Sequence, residues 1–223
     1  MSLPDFPTSD TALQLPGPVG VLEAKLEFPD AGVDRQAVIA IVCHPLPTDG
    51  GTMDNKVVMT TARALRELGI TTLRFNFRGT GNSAGEFDHG VGESDDLRAV
   101  AAWLRAAHPD ARLWLAGFSF GSFVSLKNAV ELHADAVISI APPVAGRGWD
   151  FSHIDLPQVP WLVVMGEADE IVEPKAVFDW IDALPQPPTL VRMPETSHFF
   201  HRKLIDLRQV IQQWARPLLP PVA

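Results

Sequence analysis

The chain has 223 residues, 46% of them hydrophobic, which is enough for one domain with a sizeable core. Its 18 basic and 27 acidic residues give a net charge of -9, which argues against nucleic acid or an anionic membrane as a partner. The N-terminus lacks a basic region followed by an apolar stretch, and no apolar run is longer than a strand. We therefore expect no signal peptide, no membrane span and a cytoplasmic location.

The order of apolar runs along the chain indicates the fold class. Residues 1–18 are rich in proline and predict an irregular segment, with one short edge strand as the alternative. After them, short apolar runs alternate with helical patterns, which is typical of a mainly parallel sheet with helices on both faces. The runs that predict strands are residues 21–28, 38–43, 71–77, 113–116, 136–141, 161–165 and 190–193. The patterns that predict helices are residues 56–68, 93–107, 122–132, 177–184 and 201–214.

These elements predict a single α/β domain over residues 1–223, with a sheet of about seven or eight strands. The segment between the strands predicted at 136–141 and 161–165 leaves little room for helices. A helical lid over an active site would need more chain than this, so we expect no large cap domain. The single cysteine, Cys43, excludes an intramolecular disulfide, and its place in a predicted buried strand indicates an unreactive thiol.

Residues 117–121 read Gly-Phe-Ser-Phe-Gly and lie between a predicted strand and a predicted helix. A serine at the centre of such a G-x-S-x-G turn has a strained backbone and presents its hydroxyl to solvent. Strand and helix approach closely at the turn, so the residues two positions on either side of the serine must be small, and both are glycine here. The helix also directs unpaired N–H groups towards Ser119. We interpret Ser119 as a nucleophile.

A serine nucleophile needs a histidine base, and the histidine is oriented by a carboxylate. On this kind of sheet the chain order is serine, carboxylate, histidine, and each group follows the C-terminal end of a strand. His198 directly follows the last predicted strand, so we favour it over His201, which is predicted to start the final helix. His133 and His153 follow no strand end. We predict that His198 is the base.

The carboxylate is expected in the loop after the strand predicted at 161–165. Asp169 lies in that loop, with Glu167 and Glu170 as neighbours. The pattern G-x-x-D-x-x-V places Asp169 after a glycine-started turn and before Val172, whose apolar side chain anchors the loop. We choose Asp169 and keep Glu167 as the alternative, because geometry decides between them.

An oxyanion hole needs two N–H donors directed at the developing negative charge. One donor is expected from Phe120, the residue after the nucleophile. The other is expected from the loop after the strand at 38–43, which begins His-Pro-Leu-Pro-Thr. Proline has no N–H, so Leu46 and Thr48 are the nearest donors beyond His44. We choose Leu46, which is held between two rigid prolines, and assign His44 a structural role.

Other residues near these motifs are interpreted as structural. Arg78 and the glycines that follow it, Gly79 and Gly81, are expected to shape a loop beside the oxyanion site. Glu93 and Asp96 begin the next predicted helix, where acidic residues suit the positive end of the helix dipole. Either Asp54 or Asn55 is expected to cap the helix that follows the Gly-Gly turn.

Two longer stretches carry a resemblance to a known family. They are residues 44–58, with HPLP followed by GGTMDNKVV, and residues 74–83, RFNFRGTGNS. Together with the serine turn, they resemble the α/β-hydrolase superfamily, and within it a small capless bacterial group related to dienelactone hydrolases. The resemblance covers nearly the whole chain and implies a triad of Ser119, Asp169 and His198 without a cofactor. True dienelactone hydrolases have cysteine at the nucleophile position, so that substrate does not carry over.

The expected function is that of a serine hydrolase that cleaves carboxylester or thioester bonds of small acyl substrates. Phe118 and Phe199 adjoin Ser119 and His198 in the sequence and are predicted to contact the substrate. One alternative is a prolyl-type peptidase, and another is a non-catalytic binding protein on the same fold. The partner is expected to be a small molecule, and both a monomer and a homodimer remain open.

Overall fold

A single sheet forms the centre of the molecule. The computed structural model describes residues 6–220, which form eight strands and five α-helices. The strands are β1 (Thr11–Gly17), β2 (Gly20–Glu27), β3 (Val38–Cys43), β4 (Thr71–Phe75), β5 (Arg112–Phe118), β6 (Ala136–Ile140), β7 (Trp161–Gly166) and β8 (Thr189–Met193). The helices are α1 (Lys56–Arg66), α2 (Gly92–Ala107), α3 (Phe120–Asn128), α4 (Pro174–Asp182) and α5 (Leu204–Ala215). Short 3₁₀ turns lie at Pro47–Asp49 and Arg216–Leu218.

The eight strands lie in the order β1-β2-β4-β3-β5-β6-β7-β8. β2 pairs antiparallel with β1 and β4, and the pairs from β4 through to β8 are parallel. β3, β4, β6 and β7 are buried at every position, as expected for parallel strands that helices cover on both faces. The predicted fold class, a mostly parallel sheet of about seven or eight strands flanked by helices, is confirmed.

The handedness of the crossovers determines which face each helix covers. The chain moves from β3 to β4 through α1 and then back past β3 to β5 through α2. Right-handed crossovers in opposite directions place α1 and α2 on opposite faces of the sheet. Accordingly, α2 packs against α3, and α1 packs against α5.

The same change of direction creates a crevice between the C-terminal ends of β3 and β5. Ligands of open α/β sheets bind at such a switch point. The loop after β3 contains Leu46, and the turn after β5 contains Ser119. The topology alone therefore brings two of the predicted site residues to one place.

Several predicted bounds differ from the observed ones by a few residues, among them the end of the helix predicted at 122–132, which is Asn128, and two of the differences have a local cause. Residues 1–18 were expected to be irregular, with one short edge strand as the alternative, and Thr11–Gly17 does form a seven-residue edge strand, in which pairing with β2 buries Leu15. The final helix begins at Leu204 rather than at residue 201, because Phe200 and Arg202 have φ angles of 53° and 60°, which no helix accepts. His201 therefore lies in a turn. The part of the first prediction that concerns residues 1–5 falls outside the described residues.

The connection between β6 and β7 shows that no cap is present there. Residues 141–160 contain turns and bends but no helix. This confirms the prediction of a domain without a large cap. Within residues 6–220, no helix combines the length and apolar character that crossing a membrane requires.

Candidate active site

The turn after β5 has the strained geometry that the G-x-S-x-G pattern predicts. Ser119 has φ 52° and ψ -121°, and its N–H donates a hydrogen bond to the Ile140 carbonyl at 2.8 Å. A β-carbon at Gly117 would collide with the Gly121 carbonyl, and one at Gly121 would collide with the Cys43 carbonyl. The two glycines are therefore required by the close approach of backbones, and the turn presents Ser119 at the N-terminus of α3.

Cys43 ends β3 directly beneath this turn. It is completely buried, and burial raises the pKa of its thiol. The expectation of an unreactive structural thiol agrees with this environment.

The loops after β7 and β8 bring a carboxylate and an imidazole together. The Nδ1 atom of His198 lies 2.7 Å from Oδ2 of Asp169, and both side chains are buried. The second oxygen, Oδ1, accepts hydrogen bonds from the N–H groups of Ile171 and Val172, each at 2.8 Å. Because Oδ1 is held by the backbone, Oδ2 is left in a fixed position to accept the Nδ1 proton of His198. This tautomer leaves Nε2 free to accept a proton.

The neighbouring acidic residues have different positions. The Glu170 carboxylate accepts a hydrogen bond at 3.1 Å from the backbone N–H of His198. Glu167 is exposed, and within residues 6–220 its carboxylate makes no hydrogen bond to His198. The structure therefore places Asp169, and not the alternative Glu167, beside the imidazole. The contact between Glu170 and the backbone of His198 was not predicted. The three acidic residues among positions 167–170 had indicated only that this loop supplies a carboxylate.

The two phenylalanines predicted to contact substrate lie in different environments. The Phe118 ring is 1% exposed and packs against the His198 ring, with centroids 4.9 Å apart. It packs against the imidazole ring and does not line the cavity, so the prediction that Phe118 contacts substrate is wrong. Side chains alternate along β5, and this turns Phe118 away from the open side of Ser119. Phe199 is 38% exposed and does line the cavity.

Ser119 and His198 face one cavity of about 230 Å³. Its other walls come from the loops that follow β3, β6, β7 and β8. These wall residues are Pro45, Leu46, Asp49, Gly50, Gly51, Asn55, Arg147, Ile171 and Phe199. Asp49 and Arg147 were not singled out in the sequence, because nothing in their local context indicates that residues so far apart meet.

A larger cavity, about 380 Å³, lies at the opposite end of the strands, where β3 and β4 begin. It is lined by residues at the N-terminal ends of β3 and β4, among them Arg35 and Thr71, and by His108 after α2. Ligands of open α/β sheets bind at the C-terminal ends of the strands. We therefore place the active site in the smaller cavity, which contains Ser119 and His198.

Of the predicted oxyanion donors, Leu46 lines the same cavity as Ser119, and Phe120 follows Ser119 in the chain. Within residues 6–220, the N–H groups of Leu46 and Phe120 donate no hydrogen bond to the protein. Phe120 is the first residue of α3, whose first N–H groups have no partner within the helix. The Leu46 carbonyl accepts from Asp49 and Gly51, which holds the loop with Leu46 at the cavity. Both N–H groups are therefore available to bind an anion.

Comparison with known proteins places the chain in a family. Residues 46–216 match the family model described as an alpha/beta hydrolase domain. The chain belongs to the α/β-hydrolase family. A protein of Xanthomonas campestris, described as an α/β serine hydrolase without lid, is 61% identical, with a TM-score of 0.95 over 99% of this chain and 100% of that chain.

Two further relatives extend this similarity. An α/β serine hydrolase homologue from Coxiella burnetii is 42% identical, with a TM-score of 0.88 over 94% of this chain and 99% of that chain. An uncharacterized protein of Rickettsia prowazekii is 32% identical over 206 residues, which are 89% of this chain and 85% of that protein. The predicted membership of a capless α/β-hydrolase group is confirmed. The relation to dienelactone hydrolases stays a prediction.

In this α/β hydrolase, His44 connects the ends of two strands. Its Nδ1–H donates to the Pro45 carbonyl at 2.6 Å, and its Nε2 accepts the Phe77 N–H at 3.0 Å. The bond accepted by Nε2 requires the neutral ring, and complete burial lowers the pKa of His44 to about 4, although the hydrogen bond to Pro45 opposes this shift. His44 therefore fixes the start of the Leu46 loop, in agreement with the structural role predicted for it.

The loop after β4 is held by two buried carboxylates of α2. Asp96 forms an ion pair with Arg78 at 2.8 Å and also accepts the Arg78 N–H at 2.9 Å. Glu93 accepts the N–H groups of Asp88 at 2.8 Å and Gly90 at 2.6 Å. These contacts agree with the structural roles predicted for Arg78, Glu93 and Asp96. The hydrogen bonds to Asp96 also raise the pKa of Arg78, so its positive charge is secure.

Proposed function

We propose that this protein is a serine hydrolase that cleaves ester-type bonds, carboxylesters or thioesters, of small acyl substrates. The observation that carries the proposal is the arrangement around the cavity of about 230 Å³. There, Ser119 in its strained turn lines the same cavity as a buried His198, whose Nδ1 lies 2.7 Å from a backbone-anchored Asp169. This arrangement supports the proposal that Ser119, His198 and Asp169 act as a catalytic triad.

The reaction would proceed in two acyl-transfer steps. In the first, Nε2 of His198 takes the proton of the Ser119 hydroxyl as the oxygen attacks the acyl carbonyl carbon. The tetrahedral oxyanion is bound by the N–H groups of Leu46 and Phe120. His198, now protonated and stabilised by Asp169, gives its proton to the leaving alcohol or thiol. Ser119 then holds the acyl group as an ester.

In the second step, water releases the acid. His198 takes a proton from water, the resulting hydroxide attacks the acyl carbonyl, and the Ser119 oxygen leaves with the proton returned by His198. Every group in this scheme belongs to the chain itself. The proposed mechanism therefore needs no cofactor. Its only partner is the small-molecule substrate. We also propose a cytoplasmic location.

Two further observations support this reading. The relatives that are 61% and 42% identical to this chain are both described as α/β serine hydrolases or homologues of them. The cavity is small, and its walls of Leu46, Ile171 and Phe199 are apolar, which suits a short acyl group better than a peptide.

The test is hydrolysis of p-nitrophenyl acetate and butyrate and of a short acyl thioester. We expect turnover by the wild-type protein and labelling of Ser119 by a fluorophosphonate. Ser119→Ala should lose at least about a thousand-fold in kcat, because it removes the nucleophile. Ser152→Ala, which changes an exposed serine outside the cavity, is the matched control and should keep full activity. No turnover by the wild-type protein, together with no labelling, would overturn the proposal.

A further inference from the structure

Two loops on either side of Ser119 are joined by one ion pair. Nη2 of Arg147 lies 2.8 Å from Oδ2 of Asp49, although 98 positions separate the two residues in the chain. Both residues line the cavity that contains Ser119 and His198. The pair therefore forms part of the wall of the active site.

The sheet order shows what this pair spans. β3 and β6 are the two neighbours of β5, and β5 ends at Ser119. Asp49 belongs to the loop after β3, and Arg147 belongs to the loop after β6. A contact between these two loops must cross the C-terminal end of the strand between them. The Asp49–Arg147 pair thus bridges the opening above the nucleophile in a domain that has no cap.

The tips of both loops are open to solvent, although the turn at Asp49 is closed by hydrogen bonds to Leu46 and Pro47, and Trp149 anchors the other loop against Phe120. Arg147 stands between Gly146 and Gly148, whose φ angles are 74° and 82°, and Asp49 precedes Gly50, whose φ is 80°. A β-carbon at any of these glycines would meet nothing within 4 Å, so each glycine has open space on the side where a side chain would stand. The ion pair joins the tips of these two loops directly.

The charges are exposed enough to separate at small cost. The side chains of Arg147 and Asp49 are 36% and 59% exposed. A pair in this environment shifts an equilibrium by roughly two- to five-fold, and salt weakens it. Such a contact can open for a suitable substrate, and yet it disfavours every substrate that requires the open form.

We propose that the Asp49–Arg147 pair is the size filter of this active site. It holds the loops after β3 and β6 together above Ser119, so short acyl groups react readily and long acyl chains must first break the pair. This inference rests on the proposed function, because it concerns the substrates that reach Ser119. Asp49 and Arg147 are specificity-determining residues and take no part in bond cleavage.

The first test compares kcat/KM for p-nitrophenyl octanoate and acetate, which share one leaving group. Arg147→Ala and Asp49→Ala should each raise the octanoate-to-acetate ratio about two- to five-fold. The double variant should add little, since either change removes the pair. In the wild-type protein 0.5 M NaCl should raise the ratio, and in Arg147→Ala it should not.

A charge swap separates the ion pair from the bulk of its side chains. The variant with Asp49→Arg and Arg147→Asp keeps both charges and reverses them, so its ratio should return towards the wild-type value. The matched control is Arg98→Ala, which breaks the Arg98–Glu131 pair. That pair has the same exposures, 36% and 59%, but lies outside the cavity, and its loss should leave the ratio unchanged.

A second test needs no catalysis. In a Ser119→Cys background, alkylation by iodoacetamide is compared with alkylation by a pyrene maleimide. Cys43 is completely buried, so only the introduced thiol should react. Arg147→Ala should raise the rate with the maleimide relative to iodoacetamide about two- to five-fold.

The outcomes separate the two proposals. If the wild-type protein hydrolyses esters but neither ratio responds to Arg147→Ala, the size filter is wrong and the hydrolase stands. If no ester is cleaved but the alkylation ratio rises, the filter stands and the proposed function fails. A charge swap whose ratio stays as high as that of Arg147→Ala would also overturn the filter, because side-chain volume alone would then explain the effect.

Discussion

Asp169 uses its two carboxylate oxygens for different tasks. Oδ1 is held by two backbone N–H groups, and Oδ2 faces Nδ1 of His198 at 2.7 Å. The Glu170 carboxylate accepts a hydrogen bond from the backbone N–H of His198 at 3.1 Å. One carboxylate therefore orients the ring of His198 and the other positions its main chain. The distinction matters because only the first contact can fix the tautomer that leaves Nε2 free to act as a base.

This division of roles predicts a graded series of variants. Asp169→Asn should lower kcat for p-nitrophenyl acetate about a thousand-fold or more at neutral pH, because the amide favours the wrong histidine tautomer. Glu170→Ala should cost less than about ten-fold, since the ring keeps its partner while one hydrogen bond to the main chain is lost. Glu167→Ala is the control and should match the wild-type rate. If Glu167→Ala lost as much as Asp169→Asn, the assignment of the carboxylate would be wrong.

At the scale of the elements, the structure at the start of α1 shows which of Asp54 and Asn55 caps the helix, a choice that the sequence left open. The Asn55 side chain accepts the Val57 N–H at 2.9 Å and caps the helix. Asp54 instead forms an ion pair with the buried Arg74 at 2.9 Å. Asparagine and aspartate are about equally good caps, so the sequence alone could not choose between the two positions.

The cap can be measured by urea unfolding. Asn55→Ala should lower the free energy of unfolding by about 1 kcal/mol, because an N–H group of the first turn loses its partner. Asn55→Asp should stay within about 0.5 kcal/mol of the wild type, because aspartate accepts the same hydrogen bond. An Asn55→Ala variant as stable as the wild type would show that water replaces the side chain without loss.

Local patterns account for what the sequence predicts well and for what it does not. The bounds of β3 were predicted as observed, because a buried parallel strand is a continuous apolar run. The serine turn was recognisable because its glycines are required within five residues. The burial of Phe118 and the meeting of Asp49 with Arg147 were missed, since both depend on how distant strands are arranged. The start of α5 was missed because left-handed turns at Phe200 and Arg202 have no glycine to mark them.

At the scale of the whole molecule, a buried neutral histidine links stability to pH. Burial lowers the pKa of His44 from 6.5 to about 4. Above pH 6.5 both the folded and the unfolded forms are neutral at this site. Between pH 6.5 and 4 only the unfolded form takes up the proton. Protonation lowers the free energy of the unfolded state, so the stability of the fold decreases as the pH falls. The loss approaches about 3 kcal/mol, at 1.36 kcal/mol for each pKa unit.

Urea unfolding at a series of pH values tests this linkage. Between pH 7.5 and 4.5 the wild-type protein should lose stability more steeply than His44→Gln, whose side chain has no proton to take up. The variant is expected to be less stable at neutral pH, because the bonds to Pro45 and Phe77 are altered. The informative quantity is therefore the slope with pH. Parallel slopes for the two proteins would contradict the burial of a neutral imidazole at this position.

The contact between Phe118 and His198 has a mechanical consequence. Phe118 and Ser119 are consecutive residues. The ring that packs against His198 and the serine hydroxyl are therefore carried by neighbouring positions of the chain. The rings of Phe118 and His198 are 4.9 Å apart. A displacement of the end of β5 would thus affect both the Ser119 hydroxyl and the packing under the His198 ring. The end of β5 therefore contributes to the placement of both groups, in addition to the contacts that Asp169 and Glu170 make with His198.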